Sequence, residues 1–304
     1  MISIILPTFN RDSIISSSVE CVLSQSFIKY ELIIVDDCSS DNTEDVIRNY
    51  CDQDQRIKYI KNTTNLGCAA SREIGYKNSQ GSILVFLDDD DSWPSDKLMK
   101  QYNLLIRDDY DMIISDYQIE KNGDLIYKKM KRFADKFKNE ILKRPGPFFQ
   151  SIMIKKNILD KMPLVFDKQA VPSEDWDFFI QLSKLNLKIG YVPESLFTWN
   201  IQDNSQSLNF RNEAKALSYI VSKHYEEIKK IHGIRGLSVH YRRIARLYER
   251  VSEDKNITKF YTQAFKINPL SIKNMFYFIM IIVGYSRTKS IILWIRKIRG
   301  VANA

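Results

Sequence analysis

Residues 82–98, SILVFLDDDDSWPSDKL, decide the fold of this chain. The stretch contains five consecutive apolar residues, 83–87, followed by four consecutive carboxylates, Asp88, Asp89, Asp90 and Asp91. A short uninterrupted apolar run is typical of a strand that is buried on both faces, as in a parallel sheet. Pro94 suits the first turn of a helix that continues through Leu98. The stretch therefore predicts a buried strand, an acidic turn and a helix.

The four carboxylates indicate a cation site at the end of this strand. Ligands of open α/β sheets bind at the carboxyl ends of the strands. Neighbouring carboxylates repel one another, and hard cations such as Mg²⁺ and Mn²⁺ commonly bridge one or two of them to substrate phosphates. A solvated acidic turn is the alternative for any run of aspartates. The buried strand and the rest of the chain favour the ligand site.

Strands and helices alternate regularly through the first part of the chain. The predicted strands are residues 2–6, 31–35, 57–60 and 83–87, and the predicted helices are residues 11–26, a segment from the CSSDNT loop through Tyr50, and residues 67–79. This order predicts an α/β fold with a doubly wound, mostly parallel sheet. The strand ends would then bring Thr8, Asn10, Asp36 and Asp37 to the same edge as the four aspartates.

The second half of the chain is less regular. The predicted elements are a strand at 111–117, a charged hairpin or mobile loop at 118–144, a turn and a strand at 145–154, a helix at 172–185 with Ser173 as its N-cap, and strands near 188–192 and 196–199. From about Leu208 the pattern is helical, and residues 239–251 with 257–267 resemble one tetratricopeptide unit. We expect two parts: an α/β domain at 1–205 and a helical region at 206–304.

The positive charge of the chain is concentrated towards its C-terminal end. The net charge is +8. Nine of the 45 Lys and Arg residues follow Asp254 and none of the 37 acidic residues does, so residues 1–254 carry 36 basic and 37 acidic side chains. A nearly neutral main domain argues against a nucleic-acid partner. The four cysteines show no C-x-x-C pair and no framework spacing, which favours free thiols in a reducing compartment.

The last 30 residues are apolar as well as basic. Residues 275–285, MFYFIMIIVGY, are too few to span a bilayer, which needs about 20, and residues 291–299, IILWIRKIR, are apolar and then basic. We expect an interfacial segment on an anionic membrane surface. A helical hairpin packed on the main domain, or in a homodimer, is the alternative. The N-terminal apolar run ends at Pro7, too early for a signal peptide, so we expect a cytoplasmic protein, peripheral on the inner face of the plasma membrane.

Six motifs carry a resemblance to a known family. In chain order they are SIILPTFNR, VLSQSF, ELIIVDDCSSDNT, NLGCAASRE, GSILVFLDDDDSWPSDKL and SEDWDFF. Each motif alone is weak, but six in this order and at this spacing are specific. Over about residues 1–200 the chain resembles the family 2 glycosyltransferases of the bacterial surface-polysaccharide type, which have the GT-A fold.

The resemblance implies an inverting, metal-dependent hexosyltransferase or N-acetylhexosaminyltransferase. The donor would be a nucleotide-sugar, with a weak preference for UDP, and the acceptor a glycan or a lipid-linked glycan in polysaccharide or lipopolysaccharide biosynthesis. The cofactor would be Mn²⁺ or Mg²⁺. By position, the nucleotide-sugar would be bound by Pro7, Thr8, Phe9, Asp36, Asp37, Arg72, Asp88 and Asp89, the metal by Asp90 with Asp88, and the catalytic base would be Asp175.

The resemblance also implies a role for each of these residues. Asp37 would accept a hydrogen bond from the base of the nucleotide, and Arg72 would face the phosphates or hold the aspartate cluster. Asp175 can act as a base if burial or a neighbouring charge raises its pKa, and Glu174 would supply that charge or cap the helix. Each residue also has a purely structural alternative: Asp37 as a turn former, Arg72 as a helix-surface arginine and Asp175 as an acid in the first turn of a helix. The chain has Glu73 where the family usually has Asn, so the resemblance does not determine the local geometry around Arg72.

A second class of function is a non-catalytic scaffold that binds a sugar nucleotide or a glycan through a degenerate transferase domain. The intact D-x-D at residues 88–90 and the Glu174-Asp175 pair favour the enzyme.

Overall fold

The computed structural model describes residues 1–200 and 209–284. The chain forms two compact units, Met1–Ser205 and Gln206–Ala304. The expectations for Leu208 and for residues 285–304 lie outside the described residues.

The first unit contains one eight-stranded sheet, whose strands are β1 (Ile2–Thr8), β2 (Tyr30–Asp36), β3 (Ile57–Lys61), β4 (Ile83–Phe86), β5 (Met112–Lys121), β6 (Asp124–Lys128), β7 (Ile152–Lys155) and β8 (Ile189–Asn200). The order is β3-β2-β1-β4-β7-β5-β6, with β8 paired to β5. The β3-β2-β1-β4 part is wholly parallel. β7 runs antiparallel between β4 and β5, and β6 runs antiparallel to β5.

The helices of this unit follow the strands as the alternation predicts. They are α1 (Ile15–Leu23), α2 (Thr43–Gln53), α3 (Cys68–Asn78), α4 (Lys97–Arg107), α5 (Lys131–Asp135), α6 (Phe137–Lys143), α7 (Lys156–Leu159) and α8 (Glu174–Leu182), with short 3₁₀ turns at Phe149–Ser151 and Lys168–Ala170. The predicted α/β fold with a mostly parallel sheet is therefore confirmed.

The core of this unit lies around the central strands. Every residue of β1, β2 and β4 is buried, and each aliphatic side chain buried in this way contributes about 1.5–3 kcal/mol. Helix α3 packs very closely on this sheet because Gly75 faces it: a Cβ at Gly75 would lie 2.5 Å from the Cγ2 of Ile5. The close packing fixes the height of α3 above β1 and β2, the strands that carry Ile5 and Val35.

Several boundaries differ from the predictions. Helix α4 begins at Lys97 and not at Pro94, because Ser92 and Thr198 exchange both backbone hydrogen bonds, which keeps the chain extended before the helix. The two strands predicted at 188–199 form the single strand β8, which pairs with β5 across two register irregularities. Residues 118–144 contain the β5–β6 hairpin and two short helices. Ser173 is at the N-cap position of α8, but its side chain makes no capping hydrogen bond.

The second unit is helical, and its described helices are α9 (Phe210–Lys223), α10 (Tyr225–Arg250), α11 (Asp254–Ile267) and α12 (Ile272–Val283). The pair predicted at 239–251 and 257–267 corresponds to the end of α10 and to α11. Helix α12 stacks on α11 through two ring pairs, Tyr261 on Tyr277 and Phe265 on Phe278, each 4.2 Å apart. None of the helices within the described ranges has the length and apolar character needed to cross a membrane.

Candidate active site

The aspartate turn begins where β4 ends, in the middle of the sheet. The Leu87 amide still donates to the Ile5 carbonyl (3.0 Å), so strand pairing continues up to the first aspartate. Oδ1 of Asp88 accepts a hydrogen bond from Nη2 of Arg72 (2.7 Å), and Oδ2 accepts one from the side-chain amide of Gln150. Both carboxylate oxygens of the first aspartate are therefore held by donors from other elements.

Arg72, on α3, links the aspartate turn to the start of α8. Its Nη1 donates to Oε1 of Glu174 (2.5 Å), while its Nη2 holds Asp88. The guanidinium also lies 4.8 Å from the ring centre of Phe149 and is only 5% exposed. Burial alone lowers the pKa of such a group, but the two carboxylates raise the pKa of Arg72 above its ordinary value. The arginine therefore joins Asp88 of the aspartate turn to Glu174 at the start of α8, and its expected role towards the phosphates stays a prediction.

Asp90 carries a carboxylate that these donors do not reach. Burial, followed by the charges of Asp88 and Asp89, raises the pKa of Asp90 to about 6. Within residues 1–200 and 209–284, no side chain donates a hydrogen bond to this carboxylate. The negative charge of the neighbouring Asp89 is partly neutralised, because Nε of Arg11 lies 3.3 Å from its Oδ1. Asp91 is crowded in the same way, because burial and the charges of Asp88 and Asp90 raise its pKa well above the ordinary value. The turn thus contains two crowded carboxylates, Asp90 and Asp91, that make no ion pair in the described part of the chain.

Asp36 and Asp37 lie at the end of β2, next to the strand that carries Pro7 and Thr8. Asp36 supports the turn as expected: Oδ1 accepts from the Ser39 amide (2.8 Å) and Oδ2 from the Tyr59 hydroxyl (2.6 Å). Pro7 and Thr8 are buried as the last residues of β1. Phe9 follows them and is 42% exposed, so a large apolar ring is available at this edge.

Asp37 is buried and organises the loop that follows β3. Its carboxylate accepts from the amides of Leu66 (2.8 Å) and Gly67 (2.7 Å) and from Nδ2 of Asn62 (2.8 Å). Nδ2 of Asn62 also reaches the hydroxyl of Ser71 (3.1 Å), directly before Arg72. A carboxylate has about four lone-pair positions, so three are used here and one is left for a ligand.

Asp175 is half-buried in the first turn of α8, directly after Glu174. Burial and then the charge of Glu174 raise the pKa of Asp175 to about 7, and Asp88 acts in the same direction. The Trp176 amide, which donates to Oδ1 (2.6 Å), and the charge of Arg72 oppose the shift. A carboxyl group with a pKa near 7 can accept a proton efficiently at neutral pH.

The residue types of the turn fit a divalent cation held jointly with a ligand. Among the described residues there is no group of three or more His, Cys, Asp or Glu side chains that could hold a metal by themselves. Mg²⁺ needs no such group, because it commonly takes one or two carboxylates together with substrate phosphates and water. Burial and the charges of Asp88 and Asp89 disfavour the ionised form of Asp90 and raise its pKa, and a bound cation would offset this effect.

Four residues contribute to this site without having been predicted. Lys97 is fully buried, and its Nζ donates to the carbonyl of Gln150 (2.9 Å), which positions the Gln150 amide on Asp88. Burial lowers the pKa of Lys97 to about 7. Arg11 pairs with Asp89, and the Asn200 side chain donates to the carbonyl of Asp90 (2.8 Å). Lys97 and Arg11 lie inside two of the six family motifs, so the sequence could have indicated their contribution to the site. Gln150 and Asn200 lie outside these motifs, and nothing in the sequence pointed to them.

Comparison with known proteins gives relatives of one kind. An uncharacterised glycosyltransferase of Methanocaldococcus jannaschii is 29% identical over 236 residues, which cover 76% of this chain and 81% of the relative. The putative teichuronic acid biosynthesis glycosyltransferase TuaG of Bacillus subtilis is 28% identical over 242 residues, 76% of this chain and 90% of the relative. The Escherichia coli β-1,3-glucosyltransferase WfgD is 29% identical over 186 residues, 61% of this chain and 71% of the relative.

Solved structures share the fold at low sequence identity. TarS of S. aureus (residues 1–349, in complex with UDP-GlcNAc) superposes with a TM-score of 0.64 at 15% identity, covering 94% of this chain and 92% of TarS 1–349. The mannosyltransferase PcManGT of Pyrobaculum calidifontis, solved with GDP-Man and Mn²⁺, superposes with a TM-score of 0.58 at 16% identity, covering 92% of this chain and 83% of its own.

The sequence model of Glycosyl transferase family 2 matches residues 3–165. This range is more than half of the chain, and it includes β1 to β4 and the whole aspartate turn. The chain therefore belongs to glycosyl transferase family 2, and its catalytic unit has the GT-A fold.

Proposed function

We propose that this glycosyltransferase transfers a sugar, with inversion, from a UDP-sugar to a lipid-linked or glycan acceptor, with help from Mn²⁺ or Mg²⁺. The observation that carries the proposal is the bridge made by Arg72. One buried arginine binds both Asp88 of the D-x-D and Glu174 beside Asp175. The residues proposed to bind the donor and the residue proposed as catalytic base are therefore held in one network.

The donor would lie across the ends of β1 and β2. In this proposal Phe9 borders the base, Asp37 accepts a hydrogen bond from it, and Asp36 maintains the turn. The fourth lone-pair position of Asp37 supports this assignment. The name of WfgD, a UDP-Glc-dependent enzyme, supports UDP as the nucleotide. The solved structures do not distinguish nucleotides, because TarS was solved with UDP and UDP-GlcNAc and PcManGT with GDP-Man.

Asp90 and Asp88 would hold the divalent cation together with the donor diphosphate. Asp90 would carry most of this role, because both oxygens of Asp88 already accept from Arg72 and Gln150. When bound, the ion supplies Lewis-acid neutralisation of the leaving nucleoside diphosphate, so no protein acid is required there. Asp89 remains paired to Arg11 and would border the ribose and diphosphate.

Asp175 would take the proton from the acceptor hydroxyl as that oxygen attacks the anomeric carbon. Its pKa of about 7 leaves a large fraction deprotonated at neutral pH while retaining affinity for a proton. Glu174 raises the pKa of Asp175 by its charge and is itself held by Arg72. Removal of the base should therefore affect turnover more than donor affinity.

The acceptor would be presented at a membrane surface. WfgD is named as acting on a diphosphoundecaprenol-linked sugar, and a Campylobacter jejuni relative is named for a similar lipid-linked acceptor. In the second unit, α12 has an exposed apolar face formed by Ile272, Met275, Phe276, Ile279, Ile282 and Val283. The basic sequence that follows it would bind anionic headgroups. A homodimer through the same helices is the alternative use of this face.

Nucleotide release from a panel of UDP-, GDP- and dTDP-sugars tests the proposal. We expect release from UDP-sugars with Mn²⁺ or Mg²⁺, loss of that release in EDTA, and loss in Asp90→Asn. Asp45→Asn, a change at an exposed position of α2, is the matched control and should keep full activity. Full activity in EDTA would contradict the metal-assisted mechanism. Nucleotide binding without any turnover would favour the non-catalytic scaffold.

A further inference from the structure

Four aromatic side chains form a cluster at the edge of the first unit. Tyr117 and Phe197 are stacked, with ring centres 4.9 Å apart, and both are buried. Phe148 lies 5.2 Å from Tyr117 and 5.3 Å from Trp199. Phe148 and Trp199 are only half-buried. The inner pair therefore supports an outer pair whose rings are partly open to solvent.

The outer pair lies beside the aspartate turn. Trp199 immediately precedes Asn200, whose side chain donates to the Asp90 carbonyl (2.8 Å) and whose amide donates to Oδ1 of Asp91 (3.2 Å). Phe148 is two residues before Gln150, whose amide holds Asp88. Each ring is therefore within two residues, along the chain, of a side chain that is hydrogen-bonded to the aspartate turn.

The cluster is also linked to the start of the helix that carries the candidate base. Phe148 directly precedes Phe149, whose ring centre lies 4.8 Å from the guanidinium of Arg72, and Arg72 donates to Glu174 (2.5 Å), the residue before Asp175. The cluster is therefore connected to the aspartate turn through Trp199 and Asn200, and to the start of α8 through Phe148 and Phe149. The acceptor hydroxyl must meet the donor carbon between these same two groups of carboxylates.

We propose that Trp199 and Phe148 form the binding platform for the sugar ring of the acceptor. This inference rests on the proposed function and adds the place and the chemistry of acceptor binding to it. A pyranose presents an apolar C–H face and a rim of hydroxyls, so it suits a flat aromatic surface bordered by a few polar groups. Stacking on Trp199 and Phe148 positions one hydroxyl towards Asp175, and the UDP-sugar approaches from the side of Asp88 and Asp90.

Measurement of acceptor and donor affinities in parallel tests the platform. The proteins are the wild type, Trp199→Ala, Trp199→Phe, Phe148→Leu and a control, Tyr102→Ala. The control removes a half-buried ring that packs against Phe27, with ring centres 4.5 Å apart. The acceptors are synthetic short-chain lipid diphosphates that carry glucose, N-acetylglucosamine or N-acetylgalactosamine. Acceptor KM comes from transfer assays, and the Kd of UDP with Mn²⁺ comes from calorimetry.

We expect Trp199→Ala to raise the acceptor KM by about tenfold or more, as the loss of one aromatic contact would, while the UDP Kd changes less than about twofold. Trp199→Phe keeps a ring and should stay within about threefold of wild type, Phe148→Leu should raise KM, and the control should change neither constant. The proposed platform is contradicted if Trp199→Ala leaves the acceptor KM unchanged, or if it raises the acceptor KM and the UDP Kd by the same factor. Absence of transfer by the wild type with every donor and acceptor contradicts the proposed function itself.

Discussion

Replacement of Asp175 by Asn should abolish transfer and, at the same time, stabilise the protein at alkaline pH. The charged form of this carboxyl group is unfavourable in the native state because burial, Glu174 and Asp88 all raise its pKa. Asn has a similar shape, and its side-chain oxygen can still accept the hydrogen bond from the Trp176 amide. The substitution therefore removes a charge that the fold tolerates poorly while leaving the packing in place.

The size of the stabilisation follows from the pKa shift. The pKa rises from an ordinary value of 3.8 to about 7, and each pKa unit corresponds to about 1.4 kcal/mol. Ionised Asp175 thus lowers the free energy of unfolding by at most about 4 kcal/mol at pH 8, and by about 2–4 kcal/mol after allowance for its partial exposure. Because the native pKa is raised, the penalty is absent below about pH 4 and grows up to about pH 7.

Urea unfolding at pH 8 and at pH 4.5, followed by the fluorescence of the tryptophans in the first unit, measures this effect without metal or nucleotide. We expect Asp175→Asn to gain about 2–4 kcal/mol at pH 8 and less than about 1 kcal/mol at pH 4.5. The control is Asp45→Asn, an exposed acid in the first turn of α2, which should lose up to about 1 kcal/mol. A loss of stability at pH 8, or an equal gain at both pH values, would refute the reasoning.

The kinetic half of the same prediction uses steady-state transfer. Turnover by Asp175→Asn should fall by about 10²–10⁴-fold with little change in donor affinity. In the wild type, kcat should fall about tenfold for each pH unit below about 7, as the base becomes protonated. Normal turnover in the variant would exclude Asp175 as the base, and a collapse of donor affinity instead would make it a binding residue.

Three further predictions concern the rest of the account. Asp90→Asn should keep the fold and lose metal-dependent activity, measured as nucleotide release with Mn²⁺; retained activity would contradict the assignment. Arg72→Met should lower the unfolding free energy by about 3–5 kcal/mol, because it leaves the buried carboxylate of Glu174 and the partly exposed one of Asp88 without their cation, whereas Arg48→Met, at an exposed pair, should leave the stability almost unchanged; equal losses in urea unfolding would argue against the bridge. Deletion of residues 285–304 removes five Lys and Arg residues and should weaken binding to anionic liposomes by about 100-fold or more in flotation assays; no change would favour a protein contact for these residues.

The position of the deletion comes from the structure and not from the sequence. A cut in front of the apolar run, after Pro269, would remove α12, which packs on α11 through Tyr277 and Phe278. It would also remove Asn274, which donates to the carbonyls of Ala264 and Asn268 (2.8 Å each). A cut after residue 284 leaves these contacts intact. Packing of this kind cannot be read from hydropathy, because a run that covers a neighbouring helix and one that meets lipid have the same composition.

The aspartate turn could be predicted because local features determine it: an apolar run long enough for one buried strand leads directly into charged residues. The same holds for one half of the Asp36 contacts, because the Ser39 amide is three residues away, whereas the Tyr59 hydroxyl is 23 residues away on the neighbouring strand. The bridge from Arg72 to Glu174 could not be predicted with this precision, because 102 residues separate the two groups. Gln150 was missed for the same reason, since nothing in its local sequence indicates that an antiparallel strand, β7, brings it beside Asp88.

Asp37 shows a further limit of sequence reasoning. A role in binding the base was expected from the resemblance, and it stays a prediction, but the structure adds a second role. Three of the hydrogen-bonding positions of its carboxylate hold the loop at residues 62–67. Substitution of this residue would therefore change the loop as well as any nucleotide contact, so a loss of activity there would not identify the ligand.

The stereochemistry of transfer tests the central claim most directly. The protein is incubated with a UDP-α-sugar, Mn²⁺ and the short-chain lipid diphosphate acceptor, and the anomeric configuration of the new linkage is read from the proton coupling constant. The proposed geometry, with Asp175 and the metal carboxylates on opposite sides of the reacting carbon, predicts a β-linked product that disappears in Asp175→Asn. An α-linked product, or a β-linked product formed equally well by Asp175→Asn, would contradict the account.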